Sequence, residues 1–264
     1  MSDLHLEVGK HYATFTFPAT AQYLVLAGDI GCLDDYDDYL AFLARQTARY
    51  ARVFLVLGNH EFHTHRTFAS GLALARQLER DPRLHGRLSL LHRSRVEIED
   101  GAITLLGCTL WSSIPETAKA AVQARVKDYS MIRDWSVDLH NAAHDADLDW
   151  LRRELRALDP ANKVVVVVTH HAPIIHGTSK PAYVDSPWTS AFATNVLLSG
   201  DWSSVDYWVH GHTHHSTDLD VGSTKVVSNQ LGYLLSRPVG QTQENTPTNR
   251  HEFNPGRVIC LPTK

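Results

Sequence analysis

Short aliphatic runs that end abruptly at a polar motif are the feature that most constrains the fold of this chain. The clearest are residues 23–27, which lead to Asp29, and residues 53–57, which lead to Asn59. Runs this short and this apolar are typical of strands covered on both faces. Because parallel strands present their carboxyl ends at one edge of a sheet, the polar residues after them are expected to meet there. The sequence therefore predicts an α/β fold with a polar site at the strand ends.

The segments between these runs alternate with them in the way that an α/β fold requires. Apolar residues recur at helical spacing between successive runs, which predicts crossover helices packed against the sheets. The predicted strands are residues 23–27, 53–57, 103–110, 163–169 and 205–209, and the predicted helices are residues 34–50, 66–80 and 145–158.

Shorter elements are expected between and after these segments. Residues 87–91 and 95–98 have strand character, and a hairpin turn is predicted at Asp100-Gly101. Residues 257–261 have the composition of an edge strand. No stretch has the character of a linker, so residues 1–264 are expected to form one domain.

Composition and charge narrow the class of protein. With 43% hydrophobic and 20% charged residues and no apolar stretch long enough to span a bilayer, a soluble globular protein is expected, without a membrane partner. No secretory signal is recognisable, and the odd count of three cysteines argues against a disulfide framework, so the expected location is cytoplasmic. A net charge of −4 argues against long nucleic acids and favours small substrates. Nothing in the sequence indicates the oligomeric state.

Polar motifs follow one another in a fixed order along the chain. Any one of them arises readily by chance, since Gly-Asp and Gly-Asn pairs are common in turns, but their joint occurrence at predicted strand ends is specific. The motifs are Asp3-Leu4-His5, Gly28-Asp29, Gly58-Asn59-His60-Glu61, Thr169-His170-His171 and Gly211-His212-Thr213-His214.

Together these motifs resemble those of the calcineurin-like metallophosphoesterase superfamily, and the resemblance covers roughly residues 3 to 214. It implies a four-layer αββα sandwich, in which two facing mixed β-sheets are flanked by helices. It also implies a dinuclear metal centre of two divalent transition-metal ions, for which Mn, Fe, Zn or Co suit imidazole and oxygen ligands. By resemblance, one ion would be bound by Asp3, His5, Asp29 and His214, and the other by Asp29, Asn59, His170 and His212.

The shared ligand Asp29 also has an independent physical rationale. Two cations roughly 3.5 to 4 Å apart need a common anion to offset their repulsion, and one carboxylate can offer an oxygen to each. With Asp3 and Asp29 as the only carboxylates, the centre would keep a net positive charge and attract a phosphate ester.

The resemblance implies a hydrolytic mechanism in which a metal-bound hydroxide attacks phosphorus. Asp29 would be catalytic through its bridging position, and His60 would act as the general acid for the leaving oxygen; alternatively, His60 only donates a hydrogen bond to the phosphate. Glu61 is expected to support its loop without reacting. His140 and His144 are expected at the surface or in loops.

The substrate pocket is less well defined by the sequence. Asn59, His60, His171 and Trp111 are candidate substrate contacts, although His171 could equally be an outer-shell partner of the metal site. Two loops, residues 109–112 and 172–189, are expected pocket walls, unless their aromatic residues pack locally instead.

A small-molecule or nucleotide phosphodiester is the expected substrate, because the low positive charge of the chain offers no second clamp for a dianionic monoester. Two alternatives stay open, a phosphomonoesterase and a metal-stabilised interaction scaffold without catalytic activity.

The sequence departs from the family pattern at its beginning. Only Met1 and Ser2 precede Asp3, so the first strand of the fold is predicted to be truncated. The absence of that strand should leave a groove between neighbouring strands and a loosely tethered segment carrying Asp3 and His5.

Overall fold

The computed structural model describes residues 1–159, 163–233 and 252–262. Within them the strands form a three-stranded sheet in the order β1-β2-β3 and a six-stranded sheet in the order β4-β5-β6-β7-β9-β8. The strands are Tyr23–Ala27 (β1), Arg52–Val56 (β2), Leu88–Leu90 (β3), Ser94–Ile98 (β4), Ile103–Gly107 (β5), Val164–Val168 (β6), Tyr207–His210 (β7), Asp218–Val221 (β8) and Thr224–Ser228 (β9).

The α-helices of the described residues lie between β1 and β6 in the chain. They connect parallel neighbours in the small sheet and flank the large sheet, as crossover connections do. The α-helices are Tyr36–Thr47 (α1), Phe68–Glu79 (α2), Lys119–Arg125 (α3), Asp128–Met131 (α4) and Val137–Ala157 (α5).

Alternation of side chains along the strands produces the layers. In β2, Val53 packs with α1 in one apolar cluster, whereas Phe54 packs with Val166 and Val209 of the large sheet in another. The outer face of the large sheet packs against α5 through residues such as Trp150. Two sheets thus face each other and helices cover them, which confirms the predicted sandwich. The large sheet is mixed, and the three strands of the small sheet are parallel.

Helix α5 begins at Val137, earlier than the predicted start at residue 145. The reason is that its buried stripe includes polar residues, so hydrophobic periodicity understates its length. His140 and His144 lie on that stripe, with exposed fractions of 0% and 3%, so their expected surface position is wrong. Ser136 caps the helix by accepting a hydrogen bond from the backbone of Leu139.

The predicted hairpin at residues 99–102 is present and joins β4 to β5. Residues 257–261 do not form a strand; Leu261 packs instead against the apolar cluster between the sheets. Pro160, expected to terminate α5, and residues 234–251 lie outside the described residues. No helix in the described part of the chain combines the length and the apolar character that crossing a bilayer requires.

The first residues of the chain bridge the two halves of the fold. The backbone of Asp3 donates to Gly28 at 3.0 Å on the β1 side and accepts from Gly232 at 2.9 Å on the other side. Ser2 forms an isolated parallel bridge with Gln230. The segment is therefore fixed by its own hydrogen bonds, and the expectation that it is loosely tethered is wrong.

A cavity lies between the two facing sheets, where a groove between neighbouring strands was expected. An apolar cavity of about 480 Å³ lies beside Met1, and its walls include Val25 and Phe54 of the small sheet and Val166 and Val209 of the large one. The amino group of Met1 is buried at its end and donates to the carbonyl of Val25 at 2.8 Å. Burial lowers the pKa of this amino group to about 5.

Candidate metal centre

The polar motifs converge at the carboxyl ends of the strands. Asp29 follows β1, Asn59 follows β2, His170 follows β6 and the Gly211–His214 motif follows β7, while the first residues of the chain run alongside β1. Three overlapping groups of side chains could hold a metal ion, and within each group the ligand atoms lie within 4.8 Å of one another. The groups are Asp3 with His5 and His214, His5 with Asp29 and His60, and Asp29 with His170 and His212.

The carboxylate of Asp29 lies between the first and last of these groups. Its Oδ2 is 3.8 Å from Nε2 of His5, and its Oδ1 is 3.4 Å from Nε2 of His170. Each oxygen therefore faces a different group. Burial alone would raise the pKa of Asp29, but the charges of His170 and His60 hold it well below its usual value, so the carboxylate is ionised.

Pairs of imidazole nitrogens point at common positions in this region. Nε2 of His5 is 2.9 Å from Nε2 of His214, and Nε2 of His170 is 3.1 Å from Nδ1 of His212. Nδ1 of His170 donates to the carbonyl of Ala27 at 2.9 Å, so Nε2 is the ring nitrogen that faces the other groups. Facing imidazole nitrogens with carboxylates beside them are the donor set that divalent transition metals take. The residues present thus fit such ions.

Several of these residues have strained backbones. Positive φ angles between 46° and 72° occur at Asp3, His5, Asp29, His212 and His214. Residues with side chains adopt this left-handed region at a cost of about 1–3 kcal/mol each, and they cluster at functional sites where the surrounding structure enforces it. The orientation of these side chains is therefore maintained at a cost in folding stability.

Two glycines allow the close approach of these groups. A Cβ at Gly28 would lie 2.3 Å from Nδ1 of His170, and a Cβ at Gly58 would lie 2.2 Å from Oδ1 of Asp29. Neither space exists, so glycine at these motif positions is a steric requirement.

Glu61 is fully buried and has the supporting role expected for it. Its carboxylate accepts hydrogen bonds from the backbone of Gly58 at 2.7 Å, Asp29 at 2.9 Å and Ile30 at 2.8 Å. These bonds tie the loop after β2 to the loop after β1. Burial, together with the charge of Asp29, raises the pKa of Glu61 to about 7.

Glu7 is a residue of this region that the motif analysis missed. Its Oε1 accepts from Nδ1 of His60 at 2.9 Å and from Nδ1 of His5 at 3.1 Å. Burial would raise the pKa of Glu7, but the hydrogen bonds from His5 and His60 lower it to about 2. Burial would lower the pKa of His60, but Asp29 and Glu7 raise it to about 9. The only feature of the sequence that could have indicated Glu7 is its position two residues after His5.

Asp128 is a second missed residue. The amide Nδ2 of Asn59 donates to Oδ1 of Asp128 at 2.8 Å, and Nε2 of His63 lies 2.8 Å from the same oxygen. This contact fixes the amide so that Oδ1 of Asn59 faces His170, 3.2 Å from its Nε2. Asp128 is 69 residues from Asn59 and belongs to no motif.

A cavity of about 830 Å³ opens over this region, bordered by Asp29, Asn59 and His60. Tyr183 and Trp188, from the loop expected to be a pocket wall, also border it.

The other expected wall does not reach the cavity. Trp111 is buried and packs against Trp135, with ring centroids 4.8 Å apart. His171 is also buried, with its ring 4.1 Å from that of His212, and neither ring nitrogen has a hydrogen-bond partner in the described part of the chain. The geometry thus does not support the substrate contacts predicted for Trp111 and His171.

Comparison with known proteins agrees with this arrangement. A sequence model described as calcineurin-like phosphoesterase matches residues 1–216. The chain belongs to this family. The predicted family is confirmed, and membership, together with the Asp and His groups at the strand ends, identifies the chain as a metal-dependent phosphoesterase.

The similarity to individual proteins covers most of the chain. An uncharacterised protein of Acanthamoeba polyphaga mimivirus is 26% identical over 265 residues, covering 90% of this chain and 91% of that protein. A phosphopantetheinyl hydrolase from Mycobacterium tuberculosis has a TM-score of 0.65 at 18% identity, with 88% of each chain covered. A dimetal phosphatase from Danio rerio has a TM-score of 0.49 at 18% identity, covering 80% of this chain and 72% of that one. The fold is thus shared with the mycobacterial enzyme.

Proposed function

We propose that this family member hydrolyses a phosphodiester bond in a small molecule or nucleotide, using two divalent transition-metal ions. The observation that carries the proposal is the position of Asp29, whose two oxygens face different groups of imidazole nitrogens. A single carboxylate shared in this way is what two neighbouring cations require.

The proposed ligands are the first and the last of the three groups of side chains, with Asp29 shared and Asn59 added. When bound, the two ions would supply Lewis-acid activation of water and neutralisation of phosphate charge. One ion would be held by Asp3, His5, Asp29 and His214, and the other by Asp29, Asn59, His170 and His212.

His60 is the proposed general acid. It borders the cavity, and the charges of Asp29 and Glu7 keep its imidazole protonated near neutral pH. Nδ1 donates to Glu7, so the proton available to substrate is on Nε2, which lies 3.1 Å from the hydroxyl of Tyr233 at the cavity wall. From there it can be transferred to the leaving oxygen. Glu7 orients this imidazole and, through Nδ1 of His5, one proposed ligand as well.

Preference for a diester rests on the size and walls of the cavity. About 830 Å³ exceeds what a phosphate group needs and leaves room for an organic group on each side of phosphorus. The argument from low positive charge does not hold, because Arg125, Lys127 and Lys180 border the cavity.

Two further proposals concern the chain as a whole. Residues 1–264 are proposed to be one domain, because the first residues pair with both β1 and the segment after β9. A cytoplasmic location is proposed because Cys32, Cys108 and Cys260 are free thiols, as a reducing compartment favours.

The decisive experiment compares turnover of bis(4-nitrophenyl) phosphate and 4-nitrophenyl phosphate by protein depleted of metal and then reloaded with Mn²⁺, Fe²⁺, Zn²⁺ or Co²⁺. We expect no turnover after chelation, recovery on reloading with up to two ions per chain, and a higher kcat/KM for the diester. A higher kcat/KM for the monoester would identify a phosphomonoesterase. Metal binding without turnover of either compound would favour the interaction scaffold.

A further inference from the structure

The wall of the cavity carries cationic side chains that no carboxylate of the described part of the chain neutralises. These are Arg125 and Lys127, on either side of the break between α3 and α4, and Lys180, on the loop opposite. All three are exposed to solvent. A chain with net charge −4 therefore leaves unpaired positive charge around the mouth of its phosphoesterase site.

The other described lysines differ from Lys127 and Lys180 in being paired. Lysines 10, 119, 163 and 225 of the described residues each form an ion pair with a nearby Asp or Glu. The two remaining described lysines, Lys127 and Lys180, form none, and both border the cavity. Among the described lysines, those without an ion pair are therefore the ones at the cavity.

The backbone of Lys127 lies at a fixed position beside the proposed metal centre. Its chain neighbour Asp128 is buried and hydrogen-bonded to both Asn59 and His63, so the backbone at Lys127 is anchored beside the proposed ligands. On the other side, the guanidinium of Arg125 lies 5.2 Å from the ring centroid of Trp188. This cation–π contact links it to the loop that carries Lys180.

Charge balance indicates what such a wall accommodates. The carboxylates of Asp3 and Asp29 would face the two divalent ions, and those of Glu7 and Asp128 lie beside them, hydrogen-bonded to His60 and Asn59. The centre therefore has no use for further positive charge, and the unpaired cations of the wall repel one another unless the substrate brings additional negative charge.

We propose that Arg125, Lys127 and Lys180 form a subsite for a second phosphate on the non-leaving arm of the substrate. The preferred substrate is then a phosphodiester of which one arm ends in a phosphate monoester. This inference rests on the proposed phosphodiesterase activity and adds its substrate class.

The test uses two matched diesters of 4-nitrophenol, one with an alkyl arm ending in a hydroxyl group and one with the same arm ending in phosphate. We expect Lys127→Gln and Lys180→Gln each to raise KM for the phosphorylated diester about 10-fold, the loss of roughly one charged contact. kcat should stay unchanged, and so should both constants for the hydroxyl diester. Lys127→Arg should retain the low KM, because charge is kept.

Lys225→Gln provides the matched control, since Lys225 is paired with Asp218 and does not border the cavity. It should change neither substrate's constants. Equal KM values for the two diesters in the unmodified protein, or Lys127→Gln and Lys180→Gln acting equally on both, would overturn the subsite and leave the phosphodiesterase proposal intact.

A binding measurement keeps the inference testable if neither diester is hydrolysed. Titration calorimetry of the metal-loaded protein with propyl phosphate and with propane-1,3-diyl bisphosphate compares one anionic group with two. We expect tighter binding of the bisphosphate, and loss of that advantage in the Lys127→Gln/Lys180→Gln double variant. Equal affinities would refute the second phosphate site, whereas a bisphosphate advantage without turnover would refute only the catalytic proposal.

Discussion

At the scale of single residues, His60 is expected to serve chemistry and not metal retention. His60→Ala removes the protonated imidazole beside the cavity, so we expect turnover to fall about 10²- to 10⁴-fold with metal content and melting temperature unchanged. Steady-state kinetics with an alkyl leaving group and elemental analysis check this. His65→Ala, at an exposed position outside the cavity, is the control. Near-normal turnover of that poor leaving group by His60→Ala would rule out the acid role.

Asp128 is expected to act through Asn59. Asp128→Asn replaces an ionised acceptor by a neutral amide, which weakens the hydrogen bond that fixes the orientation of the Asn59 amide and adds a competing donor. We expect metal affinity to fall about 10- to 100-fold, the usual effect of losing an outer-shell partner. Competition with a chromogenic chelator measures this, and Asp138→Asn on the exposed side of α5 is the control. Unchanged affinity would show that Asn59 is held by other contacts.

The sequence indicated the proposed ligands because each lies in a contiguous motif, and all except Asp3 and His5 follow a strand. Glu7 and Asp128 contact those residues through tertiary packing, and Asp128 is 69 positions from Asn59. No local pattern records such a contact. Trp111 shows the reverse limitation, since an aromatic residue after a strand has the same sequence signature in a pocket wall and in a core.

At the scale of elements, strands such as β1, β2 and β6 were predicted to within a few residues because buried strands are rich in apolar residues. The more polar β8 was not predicted, and the expected edge strand at residues 257–261 does not form. Helix α5 was predicted too short because His140 and His144 occupy buried positions on its stripe. The loop after β5 provides their hydrogen-bond partners: the backbone of Ser112 donates to Nε2 of His140, and Nδ1 of His144 donates to the carbonyl of Leu110. A hydrophobic pattern cannot predict buried polar residues whose hydrogen-bond partners come from a distant loop.

This packing predicts acid sensitivity of α5. Burial lowers the pKa of His140 to about 4, below its ordinary value of 6.5. Its contribution to stability is therefore complete above pH 6.5 and is lost as pH falls towards 4, by at most about 1.4 kcal/mol per pH unit. In urea unfolding of metal-free protein, His140→Gln should lose less stability between pH 7.5 and 5 than the unmodified chain. The exposed-site control is His176→Gln, and equal pH slopes for all three proteins would contradict the assignment.

At the scale of the whole molecule, the apolar cavity beside Met1 is a gap in the core between the sheets. We expect five or six alternating Val and Ile residues placed before Met1 to fill it as a strand along β1 and to raise the melting temperature. Each buried side chain adds roughly 1.5–3 kcal/mol. An extension of the same length in alternating Ser and Thr is the control. Equal melting temperatures for the two extensions would show that the cavity does not accept a strand.

The contact between the two ends of the segment that matches the family model also affects when the protein can bind metal. Oδ1 of Asp3 lies 3.5 Å from Nε2 of His214, so the proposed ligands of one ion are separated by most of the chain. Closing a loop of this length is slow compared with forming local elements. On the ribosome, Asp3 emerges long before His214 does. The chain is therefore expected to take up its full complement of metal only after synthesis is nearly finished, when both sheets have formed.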